Sequence, residues 1–75
     1  MNQSKIKIIL LDEYKYDVLL EFGRSFKKVG TIEFIDDSYM FIIGHRPISK
    51  DSLDNIEVFV KNLNYQHNVF GLSFD

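Results

Sequence analysis

The sequence predicts a small α+β domain, a mostly antiparallel sheet in the order ββββαβ with one helix packed on it. Three observations predict this class. Several short runs alternate apolar with other residues, which is the period-2 pattern of strands. One later run repeats its apolar residues every three to four positions, as one face of a helix does. The 75 residues are 45% hydrophobic and 15% aromatic, which supplies one core and predicts a single domain over residues 1–75.

The first two strands are expected before the Gly23-Arg24-Ser25 turn. Residues 5–11 alternate as a strand with one fully apolar face. Residues 14–22 are ambiguous, but as a strand they share one apolar face, whereas as a helix they leave no polar stripe. The strand interpretation is favoured. The helical alternative would give the order βαββαβ, a ferredoxin-like plan.

Two more strands are expected over residues 26–35 and 39–44, on either side of the polar Asp36-Asp37-Ser38 break. Gly30 inside the third strand indicates a bulge or a close backbone approach. Arg46 precedes Pro47, which favours extended backbone and ends the fourth strand.

One helix is expected over residues 50–63, with Ser49 as its N-cap and Asn64 as a left-handed stop. Its apolar residues fall within one arc of the helix. His67 then lies in a polar loop, and residues 69–74 are expected to close the sheet as a fifth strand.

The predicted sheet has more apolar surface than one helix can cover. Five strands are about 20 Å wide and a helix is about 10 Å across, so one helix covers roughly half of one face. The opposite face also gathers apolar residues: Ile9, Leu11, Leu19, Val29, Ile35, Met40 and Ile42. Three outcomes would absorb this surplus: a sheet curled into a partial barrel, a homodimer with packed sheets, or a heterologous protein partner.

The sequence lacks the residue patterns that most enzyme chemistry requires. There is no Cys, and the only histidines, His45 and His67, are far apart. Nor is there a glycine-rich phosphate loop. His45 and Arg46 at a strand end are interpreted as an exposed loop pair. Adjacent carboxylates such as Asp36-Asp37 are interpreted as turn formers. We therefore expect a non-enzymatic protein with no cofactor and no metal.

Charged residues at the rims and loop ends are the predicted partner-binding positions. If the tip of the second hairpin lies near the helix start, acidic residues, including Glu33 and Glu57, would form a patch that suits a basic protein. The predicted partner-binding residues are Asp36, Asp37, Asp51, Asp54 and Arg46.

Single-stranded nucleic-acid binding is the alternative function. Arg24, Lys27 and Lys28 cluster around a turn, and Tyr14 and Tyr16 are available for stacking on bases. The net charge of −2 argues against it, because nucleic-acid affinity normally depends on an excess of positive charge.

The remaining expectations concern location and origin. The apolar run near the N-terminus is too short for a signal peptide, and no run approaches the length of a membrane span, so a cytoplasmic protein without membrane contact is expected. Residues with A/T-rich codons are abundant and Ala is absent, which indicates a gene from an A/T-rich genome.

The predicted function is a protein-binding or regulatory module. One example is an inhibitor of a host factor, encoded by a phage or mobile element (a viral protein).

Overall fold

The computed structural model describes the backbone of residues 5–72 and the side chains of residues 5–68. Four strands precede one helix: β1 (Ile6–Asp12), β2 (Lys15–Phe22), β3 (Ser25–Ile35), β4 (Ser38–Ile43) and α1 (Lys50–Leu72). The α+β class is confirmed, in the order ββββα. Because β2 is a strand, the helical interpretation of residues 14–22 and the βαββαβ plan are wrong.

The strands form an antiparallel sheet in chain order, β1-β2-β3-β4. The turn between β3 and β4 has two residues, Asp36 and Asp37, with φ of 53° and 68°. This left-handed pair matches the twist of a hairpin, and Asp tolerates it better than most residues do. Within residues 5–72 the sheet stays open, so β1 and β4 are its edges and no barrel forms.

The core lies on the face of the sheet that α1 covers. Its buried side chains come from β2, β3, β4 and α1: Val18, Leu20, Val29, Ile32, Tyr39 and Ile56. Around them pack the partly buried apolar residues of both layers, including Ile6 and Ile8 of β1 and Phe59 of α1. Within residues 5–72 no helix lies on the opposite face of the sheet, and we call it the helix-free face.

A β-bulge in β3 moves Val29 into the core. The register shifts between Val18, which pairs with Gly30, and Leu19, which pairs with Lys28, so Val29 is an extra residue on β3. Its side chain is buried against the helix side. The prediction that Val29 lies on the helix-free face is therefore wrong, because a bulge resets the alternation of faces. The bulge indicated by Gly30 is confirmed.

Ser49 caps α1 as predicted. Its Oγ accepts a hydrogen bond from the Ser52 N–H at 3.2 Å, and its carbonyl accepts one from the Leu53 N–H at 2.9 Å. The predicted helix end and fifth strand are wrong, because α1 continues through residues 64–72. Residues 73 and 74 of that predicted strand lie outside the described residues.

The helix continues because Asn64 bonds to the sheet from within it. Asn64 Oδ1 accepts the backbone N–H of Tyr39 at 2.6 Å, and Asn64 Nδ2 donates to the Tyr39 carbonyl at 3.1 Å. One turn later, the His67 ring packs on Phe34, with centroids 4.8 Å apart. Both contacts require residues 64–67 to stay helical, so His67 belongs to a packed aromatic cluster and the polar-loop prediction for it is wrong.

We expect Asn64→Ala to lower the free energy of unfolding by about 2 kcal/mol, since it leaves two partly buried backbone groups of Tyr39 unpaired. Asn62→Ala is the matched control: Asn62 is exposed on the same helix, and the change should be neutral or slightly stabilising because Ala favours helix. Urea denaturation followed by circular dichroism measures both. Equal stabilities for the two variants would contradict the role given to Asn64.

Candidate protein-binding surfaces

The helix-free face is polar along its centre and apolar toward its edges. On the central strands most positions of this face are charged, with Leu19 and Phe26 among the apolar exceptions; the charged residues are Lys15, Asp17, Glu21, Lys28 and Glu33. The edge strands carry exposed apolar side chains on the same face, Ile9 on β1 and Met40 and Ile42 on β4. The surplus apolar surface predicted from the sequence is thus concentrated beside the two sheet edges.

The polar centre of this face is held by specific contacts. Lys28 Nζ lies 3.0 Å from Asp17 Oδ1 across the β2–β3 ladder. That buried oxygen makes no well-angled hydrogen bond, so the contact is an ion pair. Lys7 Nζ lies 4.7 Å from the centre of the Phe26 ring, a cation–π contact. Packing another sheet flat on this face would strip water from these charges, which is costly.

A groove of about 450 Å³ runs between β4 and the flank of α1. Its walls are mostly apolar: Met40, Phe41, Ile43, Leu53 and Val60, with Glu57 and Lys61 one helical turn apart at its rim. Ile43 is 55% exposed, which is high for an isoleucine in a strand. Leu53 and Val60 in its helix wall belong to the apolar arc of α1, but the sequence did not predict the groove, because it depends on where α1 lies relative to β4.

The outer backbone of β4 opens toward this groove. The Phe34 N–H donates to the Tyr14 carbonyl at 3.2 Å, so Phe34 points its backbone groups at β2. In an antiparallel ladder the residue opposite, Tyr39, then points its groups away from β3, as do Phe41 and Ile43. The side chain of Asn64 hydrogen-bonds both outward backbone groups of Tyr39. Phe41 and Ile43 have no such partner within residues 5–72.

The predicted acidic patch is not assembled. Asn64 contacts Tyr39, two residues after the hairpin turn, so the middle of α1 rather than its start lies nearest Asp36 and Asp37. Asp51 is thirteen positions before Asn64, about 20 Å along the helix. Asp51 and Asp54 are both exposed near the helix start. The two acidic pairs therefore lie toward opposite ends of β4, and their binding of a partner stays a prediction.

Arg46 and His45 line a second, open hollow of about 620 Å³ at the end of β4. Lys28, Val29, Gly30, Gly44 and Pro47 complete its lining. Both side chains are exposed, and none of these lining residues carries a carboxylate, hydroxyl or thiol. The residues that form this hollow therefore offer His45 no acid–base–nucleophile arrangement of the Ser/Cys-His-Asp kind.

The residues of the nucleic-acid alternative are separated by the fold. Tyr14 lies at the β1–β2 turn and Arg24 at the β2–β3 turn, at opposite ends of β2 and about 30 Å apart along the strand. Tyr16 is half-buried against Phe59, with ring centroids 5.9 Å apart. Lys28 is paired with Asp17 and Lys27 lies on the other face. The structure does not bring these residues into one surface.

Most of these aromatic side chains pack in or against the core instead, although Tyr14 is 50% exposed. Phe34 contacts Tyr14 at 5.2 Å and Tyr39 at 5.0 Å between ring centroids, and Tyr39 contacts Tyr16 at 6.3 Å. Burial, followed by the neighbouring phenols of Tyr16 and Tyr14, raises the pKa of Tyr39. Its hydroxyl therefore stays neutral through the physiological range, as a core residue requires.

Within the described chain, no group of three or more His, Asp or Glu side chains is arranged to hold a metal ion. None of its helices combines the length and apolarity needed to cross a membrane. Comparison of the chain with protein-family models, with curated proteins and with solved structures found no match.

Proposed function

We propose that this chain is a non-enzymatic protein-binding module, and that the β4–α1 groove takes an extended segment of another protein. The segment adds to the sheet as a fifth strand beside β4. The observation that carries this proposal is the pairing of an apolar groove with backbone groups of Phe41 and Ile43 that have no partner within residues 5–72.

The occupant follows from the chemistry of the groove. Outward N–H and C=O groups at every second residue match the backbone of an extended segment, which is how β-strand addition obtains affinity. The walls from Ile43, Leu53 and Val60 suit apolar side chains at alternate positions. Glu57 and Lys61 at the rim offer one charge of each sign to flanking residues. α1 beside β4 leaves room for a single segment.

Selection from a displayed library of random short peptides tests the groove. We expect the retained peptides to alternate apolar with polar residues and to lose affinity when a hydrogen-bonding peptide nitrogen is methylated. Ile43→Lys should weaken binding about a hundredfold, since it places a charge in the apolar groove. Val58→Lys is the matched control, because Val58 is exposed on α1 and is not a groove residue.

Two outcomes would overturn the proposal. One is a library from which no peptide is retained. The other is a set of peptides that bind the Ile43→Lys variant as tightly as the original chain. A regulatory or inhibitory role toward a host factor rests on size and composition alone and stays a prediction from the sequence.

A further inference from the structure

The strand β1 is an open edge with an unusually apolar surface. The Glu21 N–H donates to the Lys5 carbonyl at 3.0 Å, so Lys5 points its backbone toward β2. By the alternation of the ladder, Ile6, Ile8 and Leu10 point their N–H and C=O groups outward. Leu10 is 60% exposed and Leu11 51% exposed. A long apolar edge of this kind is a site for pairing with another strand.

The two edges of the sheet differ in what lies beside them. At β4, α1 flanks the edge and Asn64 occupies the outward backbone groups of Tyr39. At β1, no element within residues 5–72 hydrogen-bonds to the outer side of the strand. Only β1 therefore has room beside it for the whole edge of a second sheet.

The charges along β1 specify the partner. Lys5 and Lys7 lie at its start, and Asp12 and Glu13 lie at and after its end. None of these four is in an ion pair with another described residue. Two copies of β1 side by side in antiparallel orientation bring each basic end against an acidic end, whereas parallel copies would bring like charges together.

We infer that two copies of this chain pair through β1, antiparallel, and join their sheets into one continuous sheet of eight strands. A two-fold axis at Ile8 pairs Ile6 with Leu10 of the second copy and Lys7 with its Ile9. The register of β1 shifts between Leu10 and Asp12, so Asp12 follows Leu10 in the ladder. This irregularity sets Lys5 opposite Asp12 of the second copy at both ends of the interface.

The pairing closes at two copies. A two-fold interface uses the same edge from each chain, so neither copy keeps a free β1. The remaining edges are β4 strands, where α1 blocks the approach of another sheet. This inference concerns the edge opposite the groove, so it is independent of the proposed function.

Solution mass across a dilution series tests the dimer. We expect a mass twice the 8.9 kDa of one chain, and this mass should fall to that of a single chain only on strong dilution. Leu10→Pro removes an outward N–H while leaving the hydrogen bonds between β1 and β2 in place, so it should raise the dissociation constant about a hundredfold. Ile43→Lys should leave the dimer intact, and Leu10→Pro should leave peptide binding at the groove intact.

A cross-linking experiment tests the register. The chain has no Cys, so Lys7→Cys and Ile9→Cys each introduce a single exposed thiol. When the two variants are mixed and oxidised, we expect mainly the mixed disulfide. In the proposed register, residue 7 of one copy faces residue 9 of the other, with their Cα atoms about 4.5 Å apart. Each variant alone should cross-link at least tenfold more slowly.

Three results would overturn the inference: a monomer at every concentration, a mass above two chains, or equal cross-linking of mixed and single variants. Circular dichroism of Leu10→Pro must show a folded chain for its result to count. If Leu10→Pro unfolds, the cross-linking comparison decides the question by itself, since its substitutions lie at exposed positions.

Discussion

Ile56→Ala is expected to lower the free energy of unfolding by about 3 kcal/mol, because it removes three buried carbons and leaves a cavity between α1 and the sheet. Ile56 is fully buried, and among the side chains described for α1 it is the one apolar residue at the centre of the core. A domain of this length has a total stability of about 4–11 kcal/mol, so the loss is a large part of it.

The matched control is Val58→Ala, two residues further along the same helix. Val58 is 57% exposed, so its truncation should change stability by less than about 0.5 kcal/mol. Urea denaturation of both variants gives the comparison. A loss below about 1 kcal/mol for Ile56→Ala would mean that α1 is not packed on the sheet through this residue.

Gly30→Ala is the second substitution with a large expected effect, and it should also lower the free energy of unfolding by about 3 kcal/mol. A methyl group at Gly30 would overlap the carbonyl oxygen of Ile42 and lie 2.7 Å from the Phe41 ring. The carbonyl belongs to the backbone of β4, so relief requires the β3–β4 ladder to open. The variant should therefore lose stability and also loosen the edge that forms the groove.

Gly23→Ala separates this steric effect from the general cost of replacing a glycine. Gly23 has a φ of 63°, and a methyl group there would meet nothing within 4 Å. Its expected cost is about 1 kcal/mol, which comes from the left-handed backbone alone. If Gly30→Ala cost no more than Gly23→Ala by thermal denaturation, the close approach of β4 to Gly30 would be refuted.

The strand pattern was readable in advance because it depends on neighbours in the sequence. Alternation over residues 14–22 correctly predicted β2, and the polar Asp36-Asp37-Ser38 break correctly predicted the hairpin. Ser49 was recognisable as the N-cap, since capping is a contact between residues three apart. The surplus of apolar surface was also visible, because it follows from how many apolar residues each face holds.

The helix end was not readable, because it depends on contacts across the fold. Asn64 resembles a helix stop when only its neighbours are considered. In the folded chain its side chain meets Tyr39, 25 positions away, and that contact favours continued helix. The helical conformation at His67 is favoured in the same way by the contact of its ring with Phe34. The predicted fifth strand failed for this reason.

The sequence by itself determined the α+β class, the four strands, the start of the helix and the presence of apolar surface beyond the core, since all of these follow from local pattern and composition. Only the tertiary structure decided which surface stays open. The bulge turns Val29 into the core, and the contact of Asn64 with Tyr39 occupies part of the β4 edge, whereas within residues 5–72 nothing pairs with the outer side of β1. Such choices arise from packing between residues distant in the chain, which no local pattern encodes.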